Sequence, residues 1–282
     1  MERTFETPGT PTIDVRLPAG RVEVTTRAGN QTIVRLEPLR DNSASRKAVE
    51  HARVEIADGD NARVVVDVRE HSSFLSFGIG AEVGVYIEAP AGTHLKAGLA
   101  SADLRIRGAV GDLEVKTASG DVSAEEVRGR ANVHAVSGDV RIDDAQAELS
   151  VHSASGDVEI GRVVEAATVR TASGDVALGA AESSVTIQSA SGDARVEAVS
   201  RGRVSLQSAS GDLEVAIAPG VAAYIDAKSM SGDVSSDFDV SDPGDGEPSV
   251  DLRASSMSGD VRIRRASRPK KNPGSRFSAL LA

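Results

Sequence analysis

The 282-residue sequence contains no cysteine and no tryptophan, and aromatic residues make up only 2% of it. Without cysteine there is no disulfide framework, no thiolate nucleophile and no zinc-thiolate site. Globular cores draw much of their buried area from Phe, Tyr and Trp. Here the 40% of hydrophobic residues must build the interior from Val, Ile, Leu and Ala, which suits a narrow, regular structure. No stretch approaches the ~20 consecutive apolar residues of a membrane span. The first residues, MERTFETPGTPTIDVRLPAG, contain no basic segment leading into an apolar run, so no signal peptide and a cytoplasmic location are expected. The formal net charge of −10 excludes a whole-protein nucleic-acid binder.

What the sequence has in abundance is one triplet, Ser-Gly-Asp, recurring in VHSASGDVEI, VRTASGDVAL and LQSASGDLEV. From Asp121 through Asp139, Asp157 and Asp175 to Asp193 the step is 18 residues, and it then lengthens to 19, 21 and 27 on reaching Asp212, Asp233 and Asp260. Upstream, Asp103, Asp112 and Asp121 are 9 apart. A fixed period that loosens toward one end marks a stacked-repeat architecture.

Aligned on the aspartates, the repeats show period-two alternation. Val140, Val158 and Val176 follow the aspartate directly, and Ile142, Ile160 and Leu178 lie two residues further on. Arg141, Glu159 and Ala177 fall between them. This is a strand with its apolar side inward. A second strand precedes the triplet, with Val133, Val151 and Val169 six residues before the aspartate and Ala131, Leu149 and Ala167 eight before. A looser segment, such as EEVRGR, closes each layer, with Val127, Ala145, Val163, Ala181 and Val199 expected to point inward, either as a short third strand or as a connection. Strands of one phase in successive layers run parallel. The expected fold is therefore all-β: a single-stranded parallel β-solenoid of ~18-residue coils, rising about 4.8 Å per coil.

The triplet then reads as a corner. A turn repeated in every layer needs a residue free to take positive φ, which glycine does without Cβ strain. Ser and Asp side chains bond nearby turn amides. The structural turn residues are Gly120 and Asp121, Gly138 and Asp139, Gly156 and Asp157, Gly174 and Asp175, Gly192 and Asp193, Gly211 and Asp212, Gly232 and Asp233, and Gly259 and Asp260. The alternative is a calcium-binding β-roll, because stacked carboxylates repel by roughly 1 kcal/mol per pair even in water and Ca²⁺ relieves such repulsion. Calcium rolls carry Gly-Gly nonapeptides with an aspartate in each half. Most coils here carry one turn aspartate and no Gly-Gly. No metal or cofactor is expected.

Residues 1–95 lack the triplet but alternate, as in TIDVRL, RVEVTT and ARVVVDV, and read as an irregular β N-terminal region and cap. Within it DNSASRKAVEHA reads as a short helix capped from Asp41 to Ser43. HSSFLSFGIG, with Phe74 and Phe77, reads as a loop packed on the cap, and SDPGDGEPS as a solvated acidic loop. The solenoid proper spans 96–265. Residues 266–282 form a basic tail expected to be disordered.

Enzymes are found among parallel β-helices, but their sites need non-periodic acids and bases converging on one face. Here the acids are columnar. Asp143-Asp144 and Glu125-Glu126 make an acidic patch without an aromatic sugar platform. His134 and His152, 18 apart, should stack on the outer face within a column of Lys116, His134, His152, Arg170, Gln188, Gln207 and Lys228. A zinc site would need a third ligand. No phosphate loop, Ser/His/Asp order or His-Glu-x-x-His pattern is present. In the neighbouring column Arg141 faces Glu159 and Arg195 faces Glu214, pairs that fix layer register.

Taken together, TPTIDVRLPAGRVEVTT, YIEAPAGTHLKAGLASADLRIRG, recurring TASGDV, KSMSGDV and SSMSGDVRIRR resemble a family of bacterial β-strand-repeat proteins of unknown function that carries the label "putative adhesin". The resemblance covers nearly all of residues 1–265. It implies a β-solenoid and supplies no catalytic residues. The function expected is a non-enzymatic scaffold or protein-binding role, with an unidentified protein or a second copy as partner. The alternatives are a carbohydrate-active β-helix enzyme, a calcium roll and a self-assembling filament subunit. The two end regions are expected to act as caps and to keep the chain a monomer or small oligomer.

Overall fold

The structure, a computed structural model, describes residues 1–57, 62–68, 80–238 and 249–266. Phe74, Phe77, the acidic loop at 241–248 and the basic tail from 267 lie outside the described residues. Among the described residues, twenty-three strands join one hydrogen-bonded sheet system that winds into a parallel β-solenoid. Among the described residues the only helix is Ser43–Glu50, and no helix is long and apolar enough to cross a membrane. Asn42 caps that helix, its side chain accepting a 2.7 Å bond from the Ser45 amide.

Each regular coil is built from two strands, as in Ala131–Ser137 with Val140–Ala145 and Leu149–Ser155 with Val158–Val163. Like stacks on like: Val133 pairs with Val151, Val140 with Val158 and Ile142 with Ile160. The looser segment is no separate strand. Its inward residues Val127, Ala145 and Val163 end the second strand of each coil and are fully buried. Ile142 and Ala145 are three apart yet both buried, so the strand bends over at Asp143-Asp144 and the alternation restarts.

Parallel stacking reaches into the first 95 residues. Thr12–Arg27 is a complete coil, paired in register with His94–Val110 from Thr12 opposite His94 to Thr25 opposite Arg107. Its other edge takes Arg63–Asp67 and Val83–Pro90, both parallel. Beyond them the direction reverses. Gln31–Pro38 runs antiparallel to Val83–Pro90, Glu2–Glu6 antiparallel to Gln31–Pro38, and Arg53–Ala57 antiparallel to Arg63–Asp67. The helix packs beside this antiparallel cap, burying Ala48 and Val49.

The far end departs from simple sequential stacking. Gly202–Ser210 pairs not with the next coil in sequence but with Ser249–Ser258, and Ala222–Ser229 lies outside that strand as the last layer. The second halves follow suit: Leu213–Ile217 pairs with Val261–Arg265, which pairs with Val234–Ser236. Apolar content explains the exchange. The interposed coil offers Val250, Leu252, Val261 and Ile263, all buried. The outer coil offers Ile225 and Ala227, only partly buried, an exposed Val234, and a serine, Ser236, opposite Ile263. The more apolar coil is covered on both sides, and the less apolar one ends the stack.

Fully burying an Ile or Leu side chain stabilises by about 1.5–3 kcal/mol, so the columns of Val, Ile and Leu carry the fold. Ile160→Ala, inside the stack, is expected to cost about 2–5 kcal/mol. Ile225→Ala, on the terminal coil, is expected to cost less than half as much. Urea denaturation of the two variants against wild type measures the difference, and equal losses would contradict this account of the terminal coil.

Candidate binding face

The recurring corner has a defined geometry. Gly138, Gly156, Gly174 and Gly192 hold φ of 111, 120, 115 and 121°. A Cβ on Gly174 would stand 2.3 Å from the carbonyl oxygen of Gly156 in the coil beneath. Positive φ and close approach of backbone from the neighbouring layer both demand glycine there. Each aspartate reaches across coils rather than into its own turn. Asp157 Oδ1 accepts 2.9 Å from the Asp175 amide, and Asp175 Oδ1 accepts 2.8 Å from the Asp193 amide. The ladder starts at Asp103, accepting from Asp121 at 3.1 Å. At the far end it follows spatial order: Asp212 accepts from the Asp260 amide at 2.8 Å, and Asp260 from the Asp233 amide at 3.0 Å.

Asp112 belongs to a different corner. Its amide donates to His94 Nδ1 at 2.9 Å, and its Oδ1 accepts from the Arg130 amide at 2.9 Å. The nine-residue spacing of Asp103, Asp112 and Asp121 is therefore half a coil, one corner to another.

Four residues before each aspartate lies a buried column that composition alone hides: Thr117, Ser153, Thr171, Ser189, Ser208 and Ser256. Three of the hydroxyls bond corner carbonyls: Thr171 donates 3.0 Å to the Ser173 carbonyl, Ser153 3.3 Å to that of Ser155 and Ser256 3.2 Å to that of Gly211, while those of Thr117, Ser189 and Ser208 are buried without a partner. The sequence signal was present, a hydroxyl or alanine at a fixed offset, but small residues there read equally well as mere space for the turn.

Directly outside this column runs a shallow groove of about 910 Å³. Ala118, Val136, Ala154 and Ala172 form one side, with Val136 60% exposed. Lys116, His134, His152 and Arg170 form the other. The rings of His134 and His152 stack with centroids 4.9 Å apart and planes 14° from parallel. Such stacking turns the ring faces, not the nitrogens, toward each other, which is the wrong orientation for shared metal ligation. Among the described residues no group of three or more His, Asp or Glu is placed to hold a metal ion. Burial holds the His152 imidazolium below its ordinary pKa, and the neighbouring His134 and Arg170 add to the effect. Lys116 leans on Glu114 at 3.3 Å, while Arg170 donates to Gln188 at 2.9 Å and leaves its charge without a carboxylate in that contact.

The acidic patch is an ion-pair network. Glu126 takes Arg128 at 2.8 Å and Gln146 at 3.0 Å, and Arg162 bridges Asp144 at 3.4 Å and Glu182 at 2.6 Å. Burial raises the Asp144 carboxyl above its ordinary pKa, Glu126 adds to the rise and Arg162 opposes it. The charged column pairs across coils, Arg141 with Glu159 at 2.6 Å and Arg195 with Glu214 at 2.8 Å.

Comparison with known proteins places this geometry in context. The family described as Toastrack DUF4097 matches residues 13–264. A solved structure from Bacteroides fragilis, titled a "putative adhesin", is 16% identical, covering 94% of this chain and 96% of its own with a TM-score of 0.48. A "putative adhesin" from Parabacteroides merdae is 9% identical over 93% of this chain and 95% of its own, TM-score 0.35. A protein from Parabacteroides distasonis titled a "putative lipid binding protein" is 8% identical over 93% and 96%, TM-score 0.31. No functionally curated protein matches the chain.

Gly174→Val combines a strained φ, worth about 1–3 kcal/mol, with a collision against the Gly156 carbonyl, and is expected to destabilise strongly. Asp175→Asn keeps an acceptor for the Asp193 amide and is expected to stay within about 0.5 kcal/mol of wild type, whereas Asp175→Ala loses about 1 kcal/mol or more. EDTA is expected to leave the wild-type melting temperature unchanged; a shift of many degrees would instead indicate calcium in the aspartate column. For His152 the sign is fixed by its lowered folded pKa: the unfolded chain takes up the proton first. Its contribution to stability is therefore full above the ordinary value of 6.5 and is lost as pH falls below it toward the folded value. His152→Gln, the residue found at Gln188 and Gln207, should flatten the fall in stability as pH drops below 6.5.

Proposed function

The chain belongs to the Toastrack DUF4097 family, and from that premise we propose that it is a non-enzymatic, adhesin-like β-solenoid scaffold whose groove receives an extended segment of a protein partner. The observation that carries the reading is a single surface repeated over four coils. Ala118, Val136, Ala154 and Ala172 give one side of small apolar side chains, and Lys116, His134, His152 and Arg170 give a polar, partly cationic one. Long regular faces of solenoids serve extended partners. A wall of this charge on a chain of net charge −10 favours acidic side chains in the partner through local complementarity. Arg141 with Glu159 and Arg195 with Glu214 pair between coils, and the columnar arrangement of the acids and bases supports scaffold over enzyme.

Selection from a displayed peptide library on the full chain tests this. Extended peptides rich in Asp and Glu are expected, and their affinity should fall about tenfold on Arg170→Glu, the loss of a charge-assisted contact plus repulsion. Selected peptides that bind wild type and Arg170→Glu equally would overturn the reading. So would a hydrolase or lyase activity abolished by one substitution.

A further inference from the structure

The two ends of the solenoid are finished differently. At the N-terminal end the direction of the strands reverses, so the last parallel edge is covered by antiparallel strands. At the other end Ala222–Ser229 and Val234–Ser236 each pair on one side only among the described residues. Side chains on the first of these strands alternate in burial. Tyr224, Asp226 and Lys228 are exposed, and Met230, just past its end, is 81% exposed. Ala223, Ile225 and Ala227 face the core and are half-buried.

The direction of the free backbone groups follows from the ladder. In preceding coils the residue eight before the aspartate donates its amide toward the next layer, as Leu113 does to the Arg130 carbonyl and Ala131 to the Glu148 carbonyl. The equivalent residue on the terminal coil is Ile225, and alternation gives Ala227 and Ser229 the same direction. Met230, beyond the bend, donates the opposite way, to the Ser256 carbonyl. Ile225, Ala227 and Ser229 therefore present amide and carbonyl groups away from the stack. An edge of this kind is a template for another strand.

We propose that two copies of this chain join head to head, Ala222–Ser229 of one pairing antiparallel with the same strand of the other about a two-fold axis at Ala227. The interface is isologous, the same patch on both copies, as closed two-fold dimers require. In an antiparallel ladder, a residue pair exchanging both backbone bonds alternates with one exchanging none. Ala227 opposite Ala227 of the second copy, and Ile225 opposite Ser229, are then the hydrogen-bonded pairs, the parity that the free groups already have. The intervening pair is Asp226 opposite Lys228, occurring twice by symmetry. Within one chain these two side chains lie 3.0 Å apart, so exchange across the axis keeps each charge partnered. Tyr224 approaches Met230 of the second copy, a sulfur–aromatic contact for two exposed side chains. Charge complementarity and backbone parity thus select one register. The isologous interface uses the Ala222–Ser229 edge of both copies at once, so it closes at two rather than growing into a filament. The outermost strands of the pair are then the short antiparallel strands Glu2–Glu6 and Arg53–Ala57, each paired on one side among the described residues.

Sedimentation velocity on the full chain at low salt tests the proposal. A concentration-dependent monomer–dimer equilibrium is expected. Lys228→Asp, which sets like charges opposite each other in both copies of the pair, is expected to weaken the dimer by about tenfold or more. The double exchange Asp226→Lys with Lys228→Asp should restore it, while far-ultraviolet circular dichroism shows all three chains equally folded. Restoration by the exchange is the readout that a general loss of folding would not reproduce. A chain that stays monomeric at all concentrations, or a dimer indifferent to Lys228→Asp, overturns the proposal. So does hydrogen exchange showing the amides of Ile225, Ala227 and Ser229 protected at concentrations where the chain is monomeric, which would assign the edge to another segment of the same chain.

Discussion

The register of the regular coils depends on one contact made between layers: a backbone amide of one coil bonded to the aspartate carboxylate of the coil beneath, beside a glycine that lets the two chains approach. Asp157 holding the Asp175 amide at 2.9 Å sets how far one coil is rotated and shifted against the next. Once that step is fixed, Val151 must fall on Val169 and Ile160 on Leu178. The bond also resolves the electrostatic difficulty of a carboxylate column. One oxygen of each ladder carboxylate, Oδ1, accepts from a peptide N–H, and charge-assisted bonds of this kind are the stronger ones.

The core follows from that step. A coil that repeats at the strand spacing stacks identical positions on one another, so every inward site has the same width in every layer. Aliphatic side chains fill such a channel, and bulky rings would need compensating gaps above and below. The near absence of aromatics is a consequence of the geometry. Outside, the exposed ion pairs add little stability individually. Arg141 with Glu159 and Arg195 with Glu214 instead penalise a coil set down in the wrong register.

The ends are where a repeat structure has to depart from its own rule, because a parallel edge left bare invites pairing. At one end the chain reverses direction and lays a helix alongside. At the other the chain places its weaker coil outermost and returns to fill the layer beneath. Tucking Ser249–Ser258 between two earlier strands ties the final coils together. The outer coil is left with few inward apolar groups and one free edge among the described residues, and that edge is the surface most able to take a partner.

The repeat, the inward columns and the glycine corner were legible in the sequence, because each is a local rule written eight times, whereas the sequence left open whether the looser segment was a third strand. Asp41 to Ser43 bracketed the helix cap, Asn42, for the same reason: capping is decided by neighbouring residues. Three things were not legible. The partner of each ladder aspartate is the aspartate amide of the neighbouring coil, 18 residues away in the regular coils and as many as 48 at the far end, and the triplet looks the same whether it bonds its own turn or the next coil. The pairing of Thr12–Arg27 with His94–Val110 joins segments 82 residues apart without a shared triplet, Gly20 meeting Ala102 at the corner. The interleaving at the far end is invisible because Asp233 and Asp260 carry the same motif in either order. Period and alternation determine what a coil is. Only the packed structure decides which coil lies on which, since that choice is set by the apolar area each coil must cover rather than by its place in the chain.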